Sequence, residues 1–121
     1  MFLGLRTVIY HVDDLDQAKA WYSSVLGFAP YFDQPFYVGF NVGGFELGLD
    51  PDMSRVSKGN NEVAYWGTTD AEAELRRLIE LGANEHKDVE DVGDGIRVAV
   101  VIDPFGNPLG IIENPHFKAD E

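Results

Sequence analysis

The sequence predicts an α+β fold: two modules in tandem, each running strand, helix, hairpin, hairpin, with their curved sheets around a cup. Three observations predict it. Two amphipathic helices open at matching points, in Val12-Asp13-Asp14-Leu15 and Thr69-Asp70-Ala71-Glu72, and stop at Gly27 and Gly82. Each helix is followed by strands joined by short turns, and each module closes on a strand that ends in proline, at Pro51 and Pro115. Matching points lie about 55 to 64 residues apart, the size of one supersecondary unit rather than of a solenoid repeat. A cup between such repeats is where a small ligand would bind.

The first strand spans about Leu5 to Val12, with Val8, Tyr10 and Val12 on one face and Thr7, Ile9 and His11 on the other. Asp14 is placed to cap the first helix, with Gln17 in capping-box position. Leu15, Ala18, Trp21, Tyr22, Val25 and Leu26 recur at helical spacing and form the stripe that lies on the sheet. Gly27 supplies the left-handed stop. Phe28 to Phe32 follows, then a break at Asp33-Gln34-Pro35 and a strand from about Phe36 to Val42. Gly43-Gly44 is a hairpin turn into a strand where Phe45, Leu47 and Leu49 face one way and Glu46, Gly48 and Asp50 the other.

The polar stretch 52–61 lacks periodicity and reads as the linker between module one, about 5–51, and module two, about 62–115. Glu62 to Trp66 begins the second module as a strand. Thr69 and Glu72 form a second capping box, and Ala71, Leu75, Leu78, Ile79 and Leu81 are the buried face of the second helix. Asn84 to Val92 is an acidic edge strand, turned by Gly93-Asp94-Gly95 into Ile96 to Ile102. Asp103-Pro104-Phe105-Gly106-Asn107 turns again, into the closing strand Pro108 to Glu113, and residues 116–121 are a short charged tail.

At 121 residues the chain is one domain long. Its net charge of -12 and lack of a Lys/Arg cluster argue against nucleic acid and anionic membrane surfaces as partners. No apolar run approaches the roughly 20 residues of a membrane span, and no signal-peptide pattern is read at the N-terminus, so a cytoplasmic location is expected. The absence of cysteine removes disulfides, thiolate chemistry and sulfur-ligated zinc. No Gly-x-Ser-x-Gly, P-loop or dinucleotide fingerprint occurs.

Three stretches resemble a known family: the Val12-Asp13-Asp14-Leu15 junction, the helix exit Trp21-Tyr22 to Leu26-Gly27-Phe28, and Asp103-Pro104-Phe105-Gly106-Asn107 before an apolar strand. They look like the vicinal oxygen chelate superfamily, which includes glyoxalases, bleomycin-resistance proteins and extradiol dioxygenases, over about residues 5 to 115. The resemblance implies a pair of βαβββ modules (the glyoxalase/bleomycin-resistance fold), a homodimer, and a cup that in metal-dependent members holds a divalent ion as Lewis acid. Its ligand positions, first and last strand of each module, fall on Thr7, Glu46, Val63 and Gly110. Among these only Glu46 is an ordinary metal ligand, where about three are needed. A one-residue slip would substitute Glu62 and Glu113, against the apolar alternation of Phe45, Leu47, Leu49, Leu109 and Ile111.

Glu46 interrupts an apolar strand and needs a partner: a cation, Arg97, or a proton. Arg97 is read as sharing the cup face with Ala99 and Val101. His11, on the face of Thr7, is either an acid/base group or a histidine hydrogen-bonded to a neighbour. Tyr37 and Tyr65 offer flat surfaces to an aromatic or cationic ligand, or simply pack. Trp21, Tyr22 and Trp66 fall on core-facing positions. The expectation is a glyoxalase-like protein that binds a small organic ligand through Thr7, His11, Tyr37, Glu46, Tyr65 and Arg97, with no cofactor. The alternative is a lyase, isomerase or dioxygenase with Glu46 and His11 as catalytic residues and a divalent metal held in part by Glu46.

Overall fold

A computed structural model describes residues 1–59 and 61–117; residue 60 of the linker and residues 118–121 of the tail lie outside the described residues. The chain divides into two compact units, Met1–Lys58 and Gly59–Glu121, a boundary inside the predicted linker. The first unit contains β1 (Thr7–His11), α1 (Leu15–Leu26), β2 (Phe32–Gln34), β3 (Tyr37–Val42) and β4 (Phe45–Asp50). The second contains β5 (Ala64–Gly67), α2 (Ala71–Glu80), β6 (Asn84–Gly93), β7 (Ile96–Ile102) and β8 (Pro108–Glu113). Each is a βαβββ module with a four-stranded mixed sheet, ordered β1-β4-β3-β2 and β5-β8-β7-β6. The first strand runs parallel to the last, because a helix lies between the first strand and the three that follow.

In module one the Asp14 carboxylate accepts from the Gln17 N–H at 3.1 Å, so the predicted cap forms. Gly27 ends α1 at φ 81°, its N–H reaching the Ser23 carbonyl at 2.9 Å. Tyr10, Val12, Val38, Phe40, Leu47 and Leu49 are buried with Ala18 and Tyr22 of α1, which sets this face of the sheet as the core. The opposite face carries Thr7, Ile9 and His11 of β1, Glu46, Gly48 and Asp50 of β4, and Tyr37, Gly39 and Asn41 of β3, since directly paired residues share a side. The break expected at Asp33-Gln34 is in fact strand. These two residues pair with Val38 and Tyr37, and the turn is confined to Pro35-Phe36.

In module two the cap of α2 is Asp70, one residue beyond the expected Thr69, and it accepts from Ala73 N–H at 3.1 Å. Glu113 of β8 adds a second acceptor to the same helix end, at 3.0 Å from Ala71 N. Ile79 is 40% exposed rather than buried, leaving Ala71, Leu75 and Leu78 as the core face of α2. The β7–β8 turn is built around Asp103, 1% exposed, whose carboxylate accepts from Phe105 N (2.9 Å), Asn107 N (2.8 Å) and Asn107 Nδ2 (3.1 Å). The Asp-Pro-Phe-Gly-Asn signature is thus a turn-forming device. Among the described residues no helix is long and apolar enough to cross a membrane.

Candidate functional site

The open face of the first sheet has a floor without side chains. Gly39 and Gly48 pair directly across β3 and β4, and both are buried under tyrosines. A Cβ at Gly48 would meet Cζ of Tyr37 at 2.6 Å, and one at Gly39 would meet Cε1 of Tyr31 at 3.4 Å. Neither glycine has a positive φ; at Gly48 it is ring clearance, not backbone geometry, that calls for glycine, whereas at Gly39 the Tyr31 ring is in ordinary contact and the tighter approach is Glu46 Oε1 at 3.2 Å. Tyr31 is held in place by its own N–H, which donates to the Gly39 carbonyl at 3.0 Å.

The two rings converge on Glu46. The Tyr37 hydroxyl donates to one carboxylate oxygen at 2.6 Å, and the Tyr31 hydroxyl donates to the other. The half-buried carboxylate thus has a neutral donor on each of its oxygens. In turn it raises the pKa of Tyr31, chiefly by accepting its proton in the hydrogen bond. Tyr37 is raised as well, first by burial and then by the same carboxylate. Both phenols are thereby fixed as donors. Thr7 and Asn41 flank Glu46 on the neighbouring strands, and Asn41 accepts the Gly44 N–H through its side-chain oxygen at 2.9 Å. Phe32 faces the same way as Gly39, with its ring 6.1 Å from those of both Tyr37 and Phe36.

Sequence reasoning placed Glu46, Thr7 and Tyr37 on this face and missed Tyr31. No periodicity marks Tyr31, which lies at a bend ahead of β2, and only a search for partners of a strand carboxylate would have pointed to it. His11 is on the same face but pairs with Asp50, four residues along the strands from the Thr7–Glu46 pair, or about 13 Å at normal strand rise. Its Nδ1 is 2.8 Å from the Asp52 carbonyl, and the Lys58 ammonium donates to the His11 carbonyl at 2.5 Å. These bonds tie the segment after β4 to the end of β1. The Asp52 carboxylate there sits below its ordinary pKa because the Ser54 hydroxyl and N–H donate to it. Glu46 and His11 are not an acid/base couple.

Arg97 needs correction. Its cross-strand partner is Glu113, and with Ala99 and Val101 it lies on the face toward α2, where its guanidinium pairs with Glu72. The run Val98-Ala99-Val100-Val101 is apolar on both faces, so alternation could not tell them apart. Of the partners weighed for Glu46, Arg97 is not the one it has; two phenols donate to it instead. The open face of the second sheet carries Val98, Val100 and Ile112 around Gly110. Tyr65 pairs with Gly110 as Thr7 pairs with Glu46, so the counterpart of Thr7 is Tyr65, two residues beyond the expected Val63. A Cβ at Gly110 would be 2.6 Å from Cδ1 of Tyr65, whose ring therefore covers that glycine. Glu113, at the helix, and Glu62, exposed before β5, are not the ligands a slipped register would offer.

The matching positions thus hold a hydroxyl and a carboxylate in the first module, and a phenol and a glycine in the second. Neither pair by itself fits a divalent ion, because the first module supplies one carboxylate beside a neutral hydroxyl and the second no carboxylate at all, where about three ordinary ligands are needed. Among the described residues no group of three or more His, Cys, Asp or Glu is arranged to hold an ion. A separate cleft of about 590 Å³ opens at the start of α1, lined by Asp13, Asp14, Asp16, Lys19 and Asp33 among others. Lys19 pairs with Asp33 across it at 3.1 Å.

The family model for the Glyoxalase/Bleomycin resistance protein/Dioxygenase superfamily matches residues 4–111. The chain belongs to this superfamily. Among solved members and relatives, a glyoxalase-related enzyme from Fulvimarina pelagi is 18% identical with a TM-score of 0.80, over 98% of this chain and 94% of that one. A lactoylglutathione lyase from Agrobacterium tumefaciens is 21% identical with a TM-score of 0.77, over 98% of this chain and all (100%) of the other. A glyoxalase/bleomycin resistance protein/dioxygenase family enzyme from Burkholderia phytofirmans PsJN is 18% identical with a TM-score of 0.76, over 88% and 95% of the two chains. No curated protein matches significantly. At these identities the likeness is one of fold, and this glyoxalase-superfamily chain must have its chemistry argued from its own residues.

Proposed function

We propose that this glyoxalase-superfamily protein binds a small organic molecule on the open face of its first sheet, over Tyr31, Tyr37 and Glu46, without a chelated divalent metal. The observation that carries this reading is the convergence of two tyrosines on one carboxylate above a paired-glycine floor. Packing alone does not require a charged group there. A buried or half-buried charge is retained against its desolvation cost when specific donors or a ligand use it. Exposed rings beside it, Tyr31 at 65% and Phe36 at 66%, supply apolar area for the body of a ligand. Thr7 flanks the anchor, and His11 with Asp50 marks the far end of the same face. Tyr65 offers a separate flat surface in the second module. The protein acts in the cytoplasm, as a homodimer; exposed apolar residues such as Phe2, Leu3 and Leu5 support association with a second copy.

The glyoxalase-type lyase, isomerase or dioxygenase reading asks for a Lewis acid or paired acid and base. The donor set and the spacing of His11 from Glu46 give it no support. The test is a fragment titration followed by amide NMR on the whole chain. Ligands are expected to shift Tyr31, Gly39, Glu46 and Gly48 together, and Glu46→Ala to abolish binding. Shifts confined to other regions, or binding indifferent to both Glu46→Ala and Tyr37→Phe, would remove this face as the site.

A further inference from the structure

The hydrogen bonds at Glu46 also determine what charge its ligand carries, an argument that rests on the binding reading above. Each tyrosine hydroxyl has one proton, and both protons are directed at the carboxylate. What the two phenol oxygens and Glu46 present outward is therefore lone pairs and one negative charge. The faces of the Tyr31, Tyr37 and Phe32 rings add the negative side of their quadrupoles. Along the three strands, the open-face positions are Thr7, Ile9, His11, Tyr37, Gly39, Asn41, Glu46, Gly48 and Asp50. None is Lys or Arg, and two are acidic. Among these positions a carboxylate, phosphate or enediolate oxygen finds no Lys or Arg, and no phenol proton, to receive it.

We propose that the ligand of this face is an organic cation, an ammonium, amidinium or guanidinium group on an aromatic or apolar body. The cation lies against the Glu46 carboxylate, its N–H groups donating to the outward lone pairs of Glu46 and of the Tyr31 and Tyr37 oxygens. The body of the ligand extends over the Phe32–Phe36 side of the sheet, where the rings stand 6.1 Å apart and are exposed. The two phenols do not compete for the cation. Having spent their protons on the carboxylate, they add acceptors to it and hold it in one orientation.

Benzamidinium, benzamide and benzoate have nearly one shape and differ in charge, which makes them the probes. In NMR titrations of the full chain at low salt, benzamidinium is expected to bind about tenfold more tightly than benzamide, and benzoate least. The shifted resonances should be those of Tyr31, Tyr37, Gly39 and Gly48. Glu46→Gln should bring benzamidinium down to the level of benzamide, while Tyr37→Phe, which leaves the charge in place, should keep the preference. Amide dispersion of each variant shows whether it is folded. Benzamide or benzoate binding at this face as tightly as benzamidinium overturns the charge assignment and leaves the small-ligand reading standing. A preference that survives in folded Glu46→Gln also overturns it, since the overall charge of the chain would then be responsible. No binding of any of the three at this face overturns both.

Discussion

A methyl group at Gly48 would stand 2.6 Å from Cζ and 2.9 Å from Cε1 of Tyr37, with the strand backbone itself in ordinary extended geometry. Gly48→Ala should therefore act through the tyrosine alone: the ring is displaced, its bond to Glu46 is lost, and stability falls by about 1–3 kcal/mol. Urea denaturation gives the loss. A second reading comes from titration. Tyr31 and Tyr37 are both raised above the ordinary tyrosine value of 10.0 in the folded protein. A folded state that holds phenol protons which the unfolded chain has released is favoured less and less as the pH climbs. This contribution is complete below about pH 10 and is lost as the pH rises through the folded-state values. Tyrosine Cζ NMR should show two resonances that titrate late in the wild type. In Glu46→Gln, where the carboxylate is gone, the pair should titrate earlier and the alkaline loss of stability should be shallower. Two late resonances that persist in that variant would make burial, rather than Glu46, the cause for both.

At the level of elements, the turn between β7 and β8 depends on one side chain. Asp103, 1% exposed, accepts from Phe105 N, Asn107 N and Asn107 Nδ2, so Asp103→Ala leaves these donors without their acceptor in a largely buried turn. A loss of about 3 kcal/mol is expected, measured by denaturation, with Asp103→Asn costing less because it keeps one oxygen. By comparison Asp14→Ala, at the solvent-exposed start of α1, should cost about 1 kcal/mol. Elements of this kind were legible in the sequence because their signals are local. A capping aspartate, a glycine at a helix end and an alternation such as Phe45, Leu47, Leu49 against Glu46, Gly48, Asp50 need no knowledge of the rest of the chain. The errors fall where the signal is shared or absent. Asp33-Gln34 reads as a break because its residues favour turns, yet pairing with β3 makes it strand. Arg97 lies in a run apolar on both faces, and its side was decided by Glu72 on a helix that no strand pattern contains. The candidate site was half legible for the same reason. Glu46 stands out as a charge in an apolar strand, whereas Tyr31 reaches it from a bend without period.

For the whole molecule the balance of 21 acidic against nine basic residues outweighs any single pair. The ion pairs at Lys19–Asp33, Arg77–Glu74, Lys87–Glu90 and Arg97–Glu72 are all partly solvent-exposed, and such pairs contribute about 0–1 kcal/mol each. The surplus carboxylates repel one another in the compact state more than in the expanded one. Added salt should consequently stabilise this protein, as the screening length falls from about 30 Å near 10 mM to about 8 Å near 150 mM. If the ion pairs dominated instead, the melting temperature would fall over that range. The same experiment separates screening from chelation. Magnesium or manganese chloride at matched ionic strength should give the same melting temperature as sodium chloride, because Thr7 and Glu46 in one module, and Tyr65 and Gly110 in the other, do not supply a chelating set. A chelated ion would add a rise at concentrations too low to alter screening, growing as RT ln(1 + [ion]/Kd). Such a rise, lost in Glu46→Gln, would mean that Glu46 gives up its phenols to a metal, and would restore the Lewis-acid chemistry that its hydrogen bonds now argue against.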